Sequence, residues 1–193
     1  MPSPSDHPRR AQIERDMRRW LERAVIGLNL CPFAKGVHVK GQIHFAISRA
    51  GDARELLDEL ATELRALESI DPDVRSTTLL VAPDCLDDFL AFNDVLGRAD
   101  KLLRRLKLDG TLQIASFHPR YQFAGTEPDD IGNFTNRAPY PTLHLLRESS
   151  IDEAVKAFPE AQQIFEHNIR TLERLGLQGW AALDVGPSGD DSP

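Results

Sequence analysis

TTLLVAPDCLDDFLAFNDVLGRADKLLRRLKLDGTLQIASF, residues Thr77 to Phe117, decides the fold class. It opens on a short apolar run, Thr77 to Ala82, of the kind that fills a strand covered on both faces. It closes on another strand, Leu112 to Phe117. Between them Pro83 and Asp84 open a helix. Its buried side is expected from Leu86, Phe89, Leu90, Leu96, Leu103 and Leu106, and Asp109-Gly110 turns the chain out of it. Strands separated by a helix favour parallel pairing through a right-handed crossover.

The flanking sequence extends the alternation. Upstream, Asp52 caps a helix with a stripe of Leu56, Leu57, Leu60, Leu64 and Leu67. Val37 to Ser48 reads as a strand bent at Gly41. Ile13, Met17, Trp20, Leu21, Ala24, Val25 and Leu28 recur at helical spacing. That first helix stops near Asn29, because Cys31 precedes Pro32 and is biased toward extended geometry. Downstream lie a strand from Thr142 to Leu146 and helices from Ile151 and from Pro159 to Leu175. The expectation is a single α/β domain over residues 11–183, its mixed, mostly parallel sheet of about four or five strands packed with helices. Residues 1–10 and 184–193 are expected to be flexible.

With 193 residues, 41% of them hydrophobic, the chain is long enough for one sizeable core. A formal net charge of −7 argues against nucleic acid or an anionic membrane as a general partner, although a local basic pocket stays compatible with it. No apolar run approaches a membrane span, and no apolar segment follows the charged MPSPSDHPRRAQ, so no secretory signal is read. Two cysteines, Cys31 and Cys85, support neither a disulfide framework nor a four-thiolate zinc site, and a cytoplasmic location with free thiols is expected.

Chemistry is expected in the segment after the third strand. Pro119 to Pro141 is about 23 residues without a regular pattern, longer than the roughly 12–15 that structureless connections reach without a functional reason. It begins where open α/β sheets place their ligands, beyond a strand's carboxyl end. Thr126-Glu127-Pro128-Asp129 resembles a helix start. A helix running to Arg137 would set Asp130, Asn133 and Arg137 on one face. Arg120 and Arg137, with Lys35 nearby in the NLCPFAKG turn, suggest a small anionic ligand, since a guanidinium matches carboxylate or phosphate in two-point contact. The competing account is that these arginines pair internally and pin the loop.

The expected reading is therefore a small-molecule enzyme of hydrolase or transferase type. Cys31, His118 and Asp130 are the catalytic candidates, and Arg120, Tyr121, Asn133, Asn136, Arg137 and Tyr140 bind the substrate. One alternative is a metal-assisted enzyme using His118, His144 and an aspartate, although no metal-binding motif is present; another is a non-catalytic sensor of an anionic ligand. The cofactor is left open, and both glycine-rich phosphate motifs are absent. Cys85 is read as inert, because Asp87 and Asp88 oppose its ionisation.

GLNLCPFAKG (Gly27 to Gly36) and YQFAGTEPDDIGNFTNRAPYPTLHLLRE (Tyr121 to Glu148) together resemble a bacterial family catalogued as domain-of-unknown-function family 1415. The resemblance runs from Trp20 to about Leu175 and implies a single-domain cytosolic protein. It carries no activity and no catalytic residue.

Overall fold

The computed structural model describes residues 6–157 and 164–189. The expected start of the last helix at Pro159 lies outside them, as do residues 1–5 and 190–193.

The chain runs α1 (Asp6–Trp20), a π-helical continuation (Leu21–Ile26), α2 (Ala34–Val39), β1 (Ile43–Ile47), α3 (Ala53–Ser69) and β2 (Thr77–Val81). It continues with α4 (Phe89–Arg105), β3 (Leu112–Phe117), a 3-10 turn (Ile131–Asn136), β4 (Thr142–Arg147), α5 (Glu148–Ala157) and α6 (Ile164–Ala182). The four strands form one mixed sheet in the order β1-β2-β4-β3. β1 and β2 pair in parallel, and β4 is antiparallel to both β2 and β3. Three strands therefore point one way and β4 the other. The long segment between β3 and β4 lets the chain reverse and re-enter between β2 and β3.

Both faces of the sheet are covered, which is why every residue of β2 is buried. Strand alternation divides the core. Leu80, Leu112, Leu143 and Leu145 meet the stripes of α3 and α4. Phe45, Ile47, Leu79 and Val81 meet Met17, Trp20 and Ala24 of the first helical element. Val185 and Trp180, near the other end of the chain, join that second layer, so the first and last helices share a face.

Two elements differ from expectation. Val37 to Ser48 is not one bent strand: Ala34 to Val39 is a short helix, Gly41 turns at φ +68°, and only Ile43 to Ile47 is strand. Alternating Val37 and Val39 mimicked a strand, yet Val39 is 76% exposed. The helix after β2 starts later, at Phe89. Asp88 caps it by accepting from the Ala91 N–H at 2.9 Å. Its buried stripe is Phe92, Val95, Ala99, Leu102 and Leu103, while Leu90 is 72% exposed. Leu86 has φ +65° and belongs to the preceding turn.

The stretch from Asp184 to Gly189 is tied down. Ser188 donates through its hydroxyl to Asp16 Oδ1 at 2.6 Å and through its N–H to Oδ2 at 3.0 Å. Tyr140 donates to the same carboxylate at 2.9 Å. Burial alone would raise the pKa of Asp16, but these hydrogen bonds and one from Gln12 outweigh it and hold the group below the usual carboxylate range. A buried aspartate of α1 thus ties the C-terminal stretch to the β3–β4 segment.

Candidate functional site

The polar side chains after β3 are engaged by backbone groups of their own segment, of β3 and of the turn before α4. His118 is fully buried, its ring between Phe89 and Phe92 at centroid distances of 5.3 and 5.1 Å. Its Nε2–H donates to the Leu86 carbonyl at 3.0 Å and its Nδ1 accepts from the Arg120 N–H at 3.0 Å. Burial lowers its pKa, and with both nitrogens engaged the neutral ring fastens two loops together. Asn133, also fully buried, accepts at Oδ1 from the Phe123 N–H and the Thr126 hydroxyl, each at 2.9 Å. It donates to the Glu127 carbonyl at 2.8 Å. Asn136 donates to the Ser116 carbonyl at 3.2 Å.

The arginines follow the same logic. Arg137 donates to the carbonyls of Tyr121 at 3.3 Å and Pro128 at 2.5 Å, with its guanidinium 4.0 Å from the centroid of the Phe134 ring. Arg120 donates to the Asp87 carbonyl. Asp130 is exposed and caps the 3-10 turn, accepting from the Gly132 N–H at 2.7 Å. Tyr121 packs on Phe89 and Phe123, and burial raises its pKa. The expected helix from Thr126 to Arg137 is therefore a short 3-10 helix, Ile131–Asn136, and does not gather Asp130, Asn133 and Arg137 into one open face. Internal pinning describes these groups; Trp20 adds to it by donating from Nε1 to the Arg137 carbonyl at 2.9 Å.

Open space lies on the other side of the same strands. A cavity of about 330 Å3 sits between the sheet and the π-helix with α2. Its walls are mostly apolar, with Leu21, Val25 and Phe33 on the helical side and Leu79, Phe117 and Leu146 on the sheet. Cys31 and His144 supply reactive groups, and Thr77, Ser76 and Ser150 supply hydroxyls. Of the residues expected to catalyse or bind substrate, only Cys31 is in this lining, together with His144 of the metal-assisted alternative.

Local sequence explains the helical wall. The π-turn ends at Gly27, whose N–H reaches the Glu22 carbonyl at 2.9 Å. A Cβ there would collide with the Arg23 carbonyl, so the first residue of the GLNLCPFAKG stretch has to be glycine. Asn29 then takes φ +54°, a conformation asparagine tolerates better than most residues. The Leu30 N–H bonds back to the Val25 carbonyl at 2.9 Å, and Cys31 follows at the cavity wall. A π-turn beside a cavity is a recurrent feature of functional sites.

His144 was expected only as a metal ligand, and its environment shifts it strongly. It stands in β4 on the face shared with Thr142 and Leu146. Burial lowers its pKa from the ordinary 6.5 to about 4, so the ring is neutral at pH 7. The Thr77 hydroxyl lies 2.8 Å from Nε2 and donates its only proton to the Leu145 carbonyl at 2.6 Å. Nε2 must then be the N–H, donating to the Thr77 oxygen, and Nδ1 carries the lone pair. Among the described residues Nδ1 has no hydrogen-bond partner. A histidine inside the apolar run TLHLL was the signal in the sequence.

Cys85 is buried, and burial together with Asp84 pushes its thiol up to about 11. Cys31 is half-buried and free. His118 and His144 do not converge with an aspartate. Among the described residues no three His, Cys, Asp or Glu side chains come together as a cation site. No described helix is long and apolar enough to cross a membrane.

Comparison with curated proteins and with solved structures finds no match. The two motifs that frame the cavity, the Gly27–Gly36 turn and the run through His144, both fall within residues 12–182, which match a family model described as "Protein of unknown function (DUF1415)", and the chain belongs to that family.

Proposed function

We propose that the protein is a small-molecule enzyme of hydrolase or transferase type that works in the cavity between the sheet and the π-helix, with Cys31 as nucleophile and His144 as general base. The observation that carries this reading is a neutral histidine whose only unengaged nitrogen shares a mostly apolar pocket with a free thiol. Apolar pockets with a few convergent polar groups and a strongly shifted pKa are the default place to seek chemistry.

The walls define the substrate: its body is largely apolar, with one electrophilic carbon at the Cys31 end. Arg120 and Arg137 do not line this space, and Arg147, which does, donates from its guanidinium to the carbonyls of Leu67, Ile70 and Arg75, so an anionic group is not what the cavity selects. In the reaction, Nδ1 of His144 takes the thiol proton and Sγ adds to a carbonyl carbon. The leaving group departs, and a thioester remains on Cys31. Water or a second substrate then releases the acyl group. Thr77 keeps the ring in the tautomer that makes Nδ1 basic.

Incubation with p-nitrophenyl acetate, butyrate and octanoate, followed by intact-protein mass measurement, tests this. One acyl group should appear on Cys31, faster for the longer chains than for acetate. Cys31→Ser should abolish it, and His144→Gln should slow it by about 100-fold or more. Acylation that survives Cys31→Ser, or that appears on Cys85, removes the proposal.

A further inference from the structure

A groove of about 350 Å3 runs between α3 and α4, on the opposite side of the sheet from the cavity. Its rim carries Arg98, Lys101 and Arg105 of α4 and Arg54 of α3, all exposed. On α4 the three cations are spaced by three and four residues. They stack along one helix face over about 10 Å. Asp58 is the only acid in the lining, so the groove carries a local charge of +3 (four cations less one acid) on a chain of net charge −7.

These cations are not neutralised from within. Among the described residues none of the four lies within 4 Å of a carboxylate. Asp52 feels Arg54 and Arg98 at longer range, but its carboxylate is occupied in capping α3, accepting from the N–H groups of Arg54 and Glu55 at 2.8 and 2.9 Å. The floor is different in character. Leu57, Ala61 and Leu102 present apolar surface between the two charged rims.

A single carboxylate or phosphate would engage one or two of these side chains. A row of cations one helical turn apart instead fits successive negative groups, and guanidinium forks suit phosphate oxygens. We infer that the groove binds linked phosphates joined to an apolar or aromatic body, the chemistry of a nucleoside di- or triphosphate. The phosphates lie along Arg98, Lys101 and Arg105, Arg54 closes over them from the other helix, and the body rests on Leu57 and Leu102.

Isothermal titration in magnesium-free, low-salt buffer tests this with adenosine triphosphate, inorganic tripolyphosphate, adenosine and a hexaglutamate peptide as probes. Both triphosphates should bind, the adenosine-bearing one more tightly, and adenosine alone should not. The double variant Lys101→Gln, Arg105→Gln alters only exposed positions and should weaken both triphosphates by about tenfold or more. Its melting temperature and its rate of acylation at Cys31 should stay unchanged, which separates this groove from the cavity. Tripolyphosphate binding as tightly as adenosine triphosphate removes the role of the apolar floor. Absence of triphosphate binding, binding indifferent to the double substitution, or preference for hexaglutamate overturns the inference.

Discussion

The Thr77 hydroxyl stands 2.8 Å from His144 Nε2 and 2.6 Å from the Leu145 carbonyl oxygen, so one proton on one threonine fixes which imidazole nitrogen is basic. Thr77→Ser keeps the hydroxyl and should keep the arrangement. Thr77→Val removes it and leaves the Nε2–H unpaired, at a cost of about 1–3 kcal/mol. Nitrogen-15 spectra of the histidine ring should show the Nε2–H form in the wild type and in Thr77→Ser. In Thr77→Val they should show a mixture or the other tautomer. An unchanged tautomer in Thr77→Val would mean that the hydroxyl does not set it.

The depressed pKa of His144 has a consequence for stability. The unfolded chain takes up this proton near pH 6.5, the folded one only near 4, so the unfolded state binds more protons between them. The stabilising contribution of the neutral ring is fully present above about pH 6.5 and is lost as the pH falls toward 4. The loss amounts to roughly 3 kcal/mol at about 1.4 kcal/mol per pH unit. Urea unfolding at pH 7.5 and pH 4 should show His144→Gln losing less stability than the wild type by about that amount. His118 and His44, whose pKa values are also lowered, are present in both proteins and cancel. Equal losses in the two proteins would refute a neutral His144.

Asn133 is the hub of the β3–β4 segment. Asn133→Leu fills similar space but strands the Phe123 N–H, while the Thr126 hydroxyl keeps the Phe123 carbonyl and the Glu127 carbonyl keeps the Asp130 N–H, and should destabilise by about 1–3 kcal/mol. Amide exchange at Phe123 should accelerate before that of β2. A variant as stable as the wild type would show that the segment is held by its aromatic contacts instead.

Glycine plays opposite roles at two helix positions. Gly176 takes φ +66° and ψ 172° and kinks α6, carrying the following turn to Trp180, whose ring meets Phe134 at a centroid distance of 5.2 Å. Gly176→Ala should cost about 1–3 kcal/mol. Gly97 lies inside α4 with nothing within 4 Å of an added Cβ, so Gly97→Ala should be neutral or stabilising by up to about 1 kcal/mol. Thermal melts of the pair check both signs.

The two thiols should differ sharply in reactivity. Cys85 is buried, with its pKa pushed up to about 11, and should resist alkylation in the folded protein at pH 7.5. Cys31 faces the cavity and should react first, and faster with N-phenylmaleimide than with a charged maleimide of similar size. Equal rates would mean that the cavity does not select apolar reagents.

Periodic elements were legible because their burial is decided locally. Leu56, Leu60, Leu64 and Leu67 predict the α3 stripe, Asp52 predicts its cap, and Leu112 to Phe117 predicts β3 to the residue. The Val37–Val39 alternation failed because a two-turn pattern does not distinguish strand from short helix when one valine is exposed. The β3–β4 segment stands out in the sequence, but its polar residues satisfy backbone groups of a long irregular stretch and of neighbouring turns, and composition cannot separate that duty from ligand binding. The cavity was invisible for a physical reason. Thr77 and His144 are brought together by the order β1-β2-β4-β3, Cys31 by the turn that packs over that face, and β4 entering beside β2 is a long-range event that no local pattern encodes.

That strand order also governs how the protein is made. In the sheet β3 touches only β4, yet β4 leaves the ribosome after it, with the whole Pro119–Pro141 segment in between. At about 5–20 residues per second, a nascent chain exposes both edges of β3 for a second or more before its partner arrives. Until then the β1-β2 pair has an open edge of its own. Chaperone capture should therefore peak for stalled chains that end between β3 and β4, and fall away once Arg147 has emerged.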